Sequence, residues 1–305
     1  MPVTAQEVDA VFKLVHELCG IALDNSKSYL VESRLGELIR SQGCKNYEEL
    51  VRKVRLGTDA SLKTSVIDAM TTNETLFFRD ESPFDALKFK ALPETIDARA
   101  KTAFPKRLRI WSAACSTGQE PYSIAMTIAE MIPDFAKWDI QIVGTDICDK
   151  ALKQASRGEY SAFEVERGMK PAMLGRYFQR VGAAYKVQDS LRSMCVFKPF
   201  NLTGPLTSLG QFDIVFCRNV VIYFNAATRR EVFRRIAEIM LPEGYLFVGA
   251  QETLADLGPK FQPHHHCRST YYRPNLMQAA AAPIVRSPVP AAAPSTGIVR
   301  PPVRR

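Results

Sequence analysis

The pattern of apolar and polar positions changes character once along this chain. Up to about residue 72, apolar side chains recur at three- and four-residue steps. Val8, Phe12, Val15 and Cys19 share one face of a helix. A second helix is expected to begin after Asp24 or Ser26 and to carry Leu30, Leu35, Leu38 and Ile39. "NYEELVRKVR" starts at an Asn46 cap and turns Leu50, Val51 and Val54 inward. A fourth helix covers roughly Ala60 to Met70. No period-two alternation interrupts this run, so residues 1–72 are expected to form a small all-helical domain.

From Arg107 the rhythm becomes strand–helix alternation. The strand candidates are "LRIWSA", "IQIVGTDI", "CVFKPFN", "FDIVFCRN" and "GYLFVGAQ", with helical patterns at about 119–132, 149–157 and 227–241. Continuous apolar strands separated by helices predict a mostly parallel sheet covered on both faces. Residues 160–197 break the alternation with a helical piece, "KPAMLGRYF", and a hairpin through "AAYKVQ" and "RSMCVF". They read as a small β insertion beside the sheet. Residues 73–106 read as a linker between the two parts. In residues 275–305 the composition collapses to Ala, Pro, Val and Arg, which cannot bury enough apolar surface to offset ordering entropy, so disorder is expected there. The fold class is therefore α/β: a mostly parallel sheet over 107–274 preceded by a helical domain.

Charge changes this picture less than it first suggests. The formal net charge is +8, yet no acidic residue follows Asp256 and six arginines lie from Arg268 onward. Removing those six leaves +2 on everything before, so the body lacks a basic nucleic-acid footprint. The seven cysteines are scattered without a CxxC pair and several sit in apolar runs, as free thiols in a reducing compartment do. No apolar run approaches the roughly 18 residues of a membrane span, and no signal-peptide core opens the chain. A soluble, cytoplasmic monomer is the expectation.

Ligands of an open parallel sheet bind at the carboxyl ends of its strands. After the first strand come Ala113 to Glu120; after the second, Asp146; after the third, Asn201; after the fourth, Arg218 and Asn219. Asp146 stands where a carboxylate can accept both hydroxyls of a ribose, though an acid there also caps the following helix. The first loop, "AACSTGQE", has one glycine where dinucleotide folds use three, and a phosphate at that helix start would be repelled by Glu120. A ribose-bearing ligand with an amino group and no phosphate fits better, and S-adenosylmethionine is one. Glu120 would also suit the helix dipole as a plain first-turn acid. Upstream, "MTTNETLFFRD" sets Asn73, Thr75 and Arg79 beside Phe77 and Phe78, and Arg79 could clasp a carboxylate bidentately.

These stretches together, "TTNETLFFRD", "WSAACSTGQEPYSIA", "GTDI", "FNL" and "FDIVFCRNVVIYF", resemble the chemotaxis-receptor glutamate methyltransferases, the CheR family. The resemblance runs to roughly Tyr272. It implies a Rossmann-like S-adenosylmethionine methyltransferase sheet, a helical N-terminal domain and an inserted β-subdomain. By motif it also implies cofactor contacts at Asn73, Thr75, Arg79, Glu120, Asp146, Asn201, Leu202, Arg218 and Asn219, and a catalytic Tyr223. The family's arginine near the reaction centre is not assigned to Arg99 or a neighbour, because the local match is poor. The implied reaction methylates receptor glutamates and leaves S-adenosylhomocysteine. The implied partner is the cytoplasmic helical coiled coil of chemoreceptors.

The segment from Arg34 to Lys63 sets seven basic residues, Arg34, Arg40, Lys45, Arg52, Lys53, Arg55 and Lys63, against four acids, and is expected to supply the docking face for the acidic receptor helix. Arg52, Lys53 and Arg55 point away from the Val51–Val54 side, which makes them the expected docking face, or simply a solvated one. The turn between "RYFQRVG" and "AAYKVQ" is short, which argues against a peptide-gripping β-subdomain. No histidine falls at a strand tip, so triad chemistry is not expected, and the His264–Cys267 run lacks the spacing of a closed zinc site. Two other readings stay open: methylation of nucleic acid, which lacks its usual Pro-Pro turn here, and a non-catalytic sensor of the cofactor.

Overall fold

The computed structural model describes residues 3–57, 59–255 and 260–275. The expectation of a disordered tail therefore lies outside the described residues from 276 onward.

Four helices build the N-terminal cluster: α1 (Ala5–Cys19), α2 (Tyr29–Ser41), α3 (Tyr47–Leu56) and α4 (Ala60–Met70). Their ends follow the local chemistry. Thr4 and Glu7 form a capping box at α1, Gly20 closes it in the left-handed conformation, and Asn46 and Asp59 cap α3 and α4. Asp24 caps a 3₁₀ turn (Asn25–Lys27), and α2 begins only at Tyr29. Val11, Leu14, Val15, Val31, Leu35 and Val66 are almost fully buried in this cluster.

Residues 82–100 are not the linker expected from sequence. α5 (Ser82–Ala86) passes through a π turn (Leu87–Ala91) into α6 (Leu92–Ala100). Phe84, Ala86, Leu87, Ala91 and Leu92 pack into the core of the α/β part. Charged residues interleave its apolar ones and Phe89 is exposed, so the buried stripe is not evident from the sequence.

The α/β part then runs β1 (Arg107–Ala113), α7 (Gln119–Met131), β2 (Asp139–Asp146), α8 (Asp149–Arg157), β3 (Glu159–Ser161), α9 (Ala162–Glu166), α10 (Pro171–Tyr177), β4 (Phe178–Val181), β5 (Ala184–Val187), α11 (Asp189–Arg192), β6 (Cys195–Pro199), β7 (Phe212–Cys217), α12 (Ala226–Ile239), β8 (Met240–Val248), β9 (Phe261–His266) and β10 (Ser269–Pro274). Seven strands form one sheet in the order β6-β2-β1-β7-β8-β10-β9. The first five in that order are parallel, and β10 and β9 close the edge antiparallel. Alternate side chains feed two cores. Ile110, Ile142, Ile214 and Phe216 pack with α7, while Trp111, Val143, Val215 and Cys217 pack with α12.

Two expectations are corrected. The hairpin of the insertion pairs β4 with β5 across a two-residue turn, and with β3 makes a three-stranded sheet. "RSMCVF" instead supplies β6, paired parallel to β2 in the main sheet. The β9–β10 hairpin lies beyond the five strand candidates, although a solvated strand edge is the expected alternative to a metal site at His264–His266. Its strand β9 is the exposed sheet edge, and with Pro263 and three histidines it carries little of the β-propensity signal that marks a strand.

Candidate active site

The chain order reverses between β1 and β7, so the crevice at the tips of these strands is the topological switch point where ligands of open sheets bind. The loop after β1 is shaped by alternating left-handed residues: Ala114 at φ 55°, Ser116 at φ 52° and Gly118 at φ 95°. Only the last position requires glycine. A Cβ there would stand 2.8 Å from the Cβ of Ala155 and 3.0 Å from the Tyr160 hydroxyl. The other positions are held by hydrogen bonds instead. The Cys115 amide donates to the Thr145 carbonyl, the Ser116 amide to Asp146 at 2.7 Å, and the Ser116 hydroxyl to the Asn73 carbonyl. The loop thus wraps onto β2 and the interdomain segment without a phosphate cradle.

Backbone strain concentrates around this crevice. Of the eight described non-glycine residues with positive φ, six fall in three segments at its rim: Phe78, Asp80 and Glu81; Ala114 and Ser116; and Asn219. Non-glycine residues enter this region at a cost and persist where surrounding contacts over-determine them, commonly at functional sites.

Those contacts centre on Arg218, whose side chain is 1% exposed. Its guanidinium donates to Glu120 at 3.0 Å, to Asp80 at 2.8 Å and to the Arg79 carbonyl at 2.9 Å. Glu120 receives a further bond from the Ser112 hydroxyl at 2.7 Å. One buried cation therefore locks the tip of β7, the start of α7 and the interdomain segment together.

The resulting cleft has about 950 Å³ of empty space, including its open mouth. Asn73, Thr75, Arg79, Glu120, Asp146, Asn201, Leu202, Arg218, Asn219 and Tyr223 all line it, together with Cys19 and Ile21 from the helical cluster. Arg79 bonds only the Glu74 carbonyl, at 3.2 Å, and pairs with no carboxylate among the described residues. Thr75 and the Tyr223 hydroxyl likewise have no hydrogen-bond partner there. Burial pushes the Asp146 carboxyl above its ordinary value, against the lowering effect of the Cys148 and Ser116 amides it accepts. Burial, reinforced by the Asp146 and Glu120 charges, also raises the Cys115 thiol well above its ordinary value. Cys115 thus stays a neutral thiol and offers no competing nucleophile.

The turn after β7 carries Asn219 to Phe224, with Val221–Tyr223 in a 3₁₀ turn. The Ala22 amide donates to the Tyr223 carbonyl at 2.8 Å, and Ile21 bridges Phe224. Gly20 permits this approach, since a Cβ there would meet Thr203 at 2.6 Å. The helical cluster therefore touches the backbone that presents Tyr223.

The structure brings all ten sequence-predicted cofactor-site and catalytic positions to one cleft, and two of them also hold the protein's own segments together. The Arg218 guanidinium lines the cleft while binding Glu120, Asp80 and the Arg79 carbonyl, so it also ties the walls of the site together. The Asn201 side chain is also engaged. Its amide donates to the Leu18 carbonyl at 2.9 Å, and its oxygen accepts from Thr203, which stitches α1 to the loop after β6. Arg99 pairs with Asp213 at the opposite end of the sheet, away from the cleft. Among the docking residues, Arg52 is 70% exposed and only loosely near Glu49. Lys53 bonds the Gln42 carbonyl, and Arg55 pairs with Glu17. Arg34, expected on the docking face, instead binds the Met70 and Thr71 carbonyls at the end of α4. Sequence reasoning missed Asp80, Ser112 and Glu252. Their roles depend on partners distant in the chain, and no local spacing signals them.

Among the described residues no cluster of three or more His, Cys, Asp or Glu could hold a metal ion, and no helix is long and apolar enough to cross a membrane. The fold and cleft define a Rossmann-like protein with a nucleoside pocket. Its walls carry one guanidinium, Arg79, and two carboxylates, Glu120 and Asp146. Residues 73–269 match the family model described as CheR methyltransferase, SAM binding domain, and residues 6–71 match CheR methyltransferase, all-alpha domain. The chain is 45% identical over 252 residues to chemotaxis protein methyltransferase 1 of Pseudomonas aeruginosa, which covers 81% of this chain and 90% of that protein. It is 44% identical over 252 residues to chemotaxis protein methyltransferase Cher2 of Pseudomonas putida, with the same coverage. To a chemotaxis protein methyltransferase of Vibrio parahaemolyticus it is 38% identical over 268 residues, 85% of this chain and 94% of that one. This chain belongs to the CheR methyltransferase family, and S-adenosylmethionine is its cofactor.

Proposed function

We propose that this protein esterifies glutamate side chains on the cytoplasmic helices of chemoreceptors, producing γ-glutamyl methyl esters and S-adenosylhomocysteine. The cofactor supplies an electrophilic methyl carbon on a sulfonium. In this reading Arg79 receives the cofactor carboxylate, Glu120 its amine and Asp146 its ribose hydroxyls, while Leu202 gives an apolar wall to the adenine. Tyr223 offers a free hydroxyl to orient the incoming carboxylate. Asn73 and Thr75 fix the interdomain side of the pocket.

One observation carries the reading: Arg79, Glu120, Asp146 and Tyr223, from four separate segments, line a single cleft in which no described histidine or lysine stands as a base. A glutamate with a reference pKa near 4.3 is already ionised at neutral pH, so an acceptor carboxylate needs alignment and shielding rather than deprotonation. Docking of an acidic receptor helix is assigned to Arg52, Lys53 and Arg55 on α3. The exposed Arg55–Glu17 pair is weak enough to exchange partners.

The test incubates the full chain with methyl-labelled cofactor and membranes bearing chemoreceptors, followed by mild base. Label released as methanol identifies a carboxyl ester. Base-stable label means nitrogen methylation instead, and cofactor binding without label in the receptor means a sensor.

A further inference from the structure

One buried side chain outside the cleft holds the turn that carries Asn219 and Tyr223. Glu252 follows β8, is 8% exposed, and is absent from the walls of the cofactor cleft. One carboxylate oxygen accepts the amides of Asn219 at 2.8 Å and Gly249 at 2.7 Å. The other accepts those of Val220 and Val221, both at 3.1 Å. No lysine, arginine or histidine pairs with it among the described residues. A buried carboxylate without a cation needs such donors, and bonds to a charged acceptor are the strong ones. Three successive amides converge on it because Asn219 is left-handed, at φ 57°. That arrangement is an anion nest filled by the protein's own acid.

We propose that Glu252 is the positioning residue of the acceptor side. It fixes the Asn219–Val221 backbone, and through it the place of the Tyr223 hydroxyl, without touching cofactor or acceptor. The role assigned to Tyr223 rests on the function proposed above; the clamp itself does not. Removing the clamp is expected to slow the chemical step more than it weakens cofactor binding. Arg79, Asp146 and Glu120 hang on other elements, whereas a displacement near 1 Å at a reacting group costs on the order of 100-fold.

Three full-length variants test this. Glu252→Gln puts an amide nitrogen against two N–H donors. Gly249→Ala leaves the carboxylate in the chain but sets a Cβ 2.7 Å from its oxygen, 2.8 Å from the Asn219 side-chain Nδ2 and 3.0 Å from the Asn219 backbone nitrogen. Glu252→Asp keeps the charge. Each is measured for kcat and KM on receptor membranes, for S-adenosylhomocysteine affinity by calorimetry, and for amide exchange over residues 217–224. The expected result for E252Q and G249A is a kcat reduced roughly 10- to 100-fold, an affinity within about threefold of wild type, and faster exchange at Asn219–Val221. E252D should retain more kcat than E252Q. Turnover within about twofold of wild type in both E252Q and G249A overturns the proposal, as does a kcat loss matched by an equal loss of affinity. Should E252Q not fold, G249A decides alone. A wild-type protein that makes no ester refutes the glutamate reading instead. The clamp then stands or falls on exchange: unchanged protection at Asn219–Val221 in the folded variants refutes it.

Discussion

Replacing Arg218 with methionine tests whether one buried cation organises the site. The side chains involved are 1% exposed for Arg218, 13% for Glu120 and 40% for Asp80. Asp80 can rehydrate, and an exposed pair of this kind contributes about 1 kcal/mol or less. Glu120, partly buried in the cleft wall, rehydrates less readily and keeps only the Ser112 bond; breaking a fully buried pair from one side costs about 3–5 kcal/mol, which is the upper bound here. With the Ser112 bond retained, the expected loss for R218M is near the lower end, about 3 kcal/mol. Adding Glu120→Gln removes the stranded charge, so the double variant should be more stable than the sum of the singles by about 1–3 kcal/mol. Urea unfolding followed by tryptophan fluorescence measures this directly, because Trp111 and Trp138 both lie in the α/β part. A loss below about 1 kcal/mol, or additivity within about 0.5 kcal/mol, would show that Arg218 is not the keystone.

Other outcomes follow from the same geometry. Arg79→Ala removes a guanidinium with no protein carboxylate to release, so calorimetry should show S-adenosylhomocysteine bound about 1.5–3 kcal/mol more weakly with little change in unfolding midpoint. Because Asp146 has a folded pKa raised above 3.8, its burial favours the fold below that value, and this contribution is lost as pH rises through the raised pKa. Cofactor binding has the opposite sign: affinity carried by the ionised carboxylate should be full at neutral pH and fall as pH drops through the raised value, and a pH titration that stays flat through that range removes Asp146 from the ribose role. Reversing Arg52, Lys53 and Arg55 to glutamate should weaken receptor methylation while sparing calorimetric cofactor affinity; equal loss of both sinks the docking face. Arg34→Ala should instead lower stability by about 1–3 kcal/mol, since it leaves the carbonyls at the end of α4 without their donor.

Much of the site was readable before any coordinates, for a specific reason. Strand tips of a parallel sheet are marked by where an apolar run stops, so Glu120, Asp146, Asn201 and Arg218 could be placed by counting along single strands. Their partners could not. That the Arg218 guanidinium would meet Asp80, Glu120 and the Arg79 carbonyl depends on a side chain, a helix start and a loop brought together from three parts of the chain. Asn201 likewise carries a good ligand chemistry, and only its bond to the Leu18 carbonyl shows that the amide is already used.

By itself the sequence determined the helical cluster, the parallel core strands and the cap at Asn46, because each follows from periodicity or from residues a few positions apart. The tertiary structure decided the hairpin register of the insertion, the burial of residues 82–100, the antiparallel edge and the clamp at Glu252. These depend on which surfaces meet, and a carboxylate such as Glu252 looks no different from a solvated one until the fold converges four amides on it.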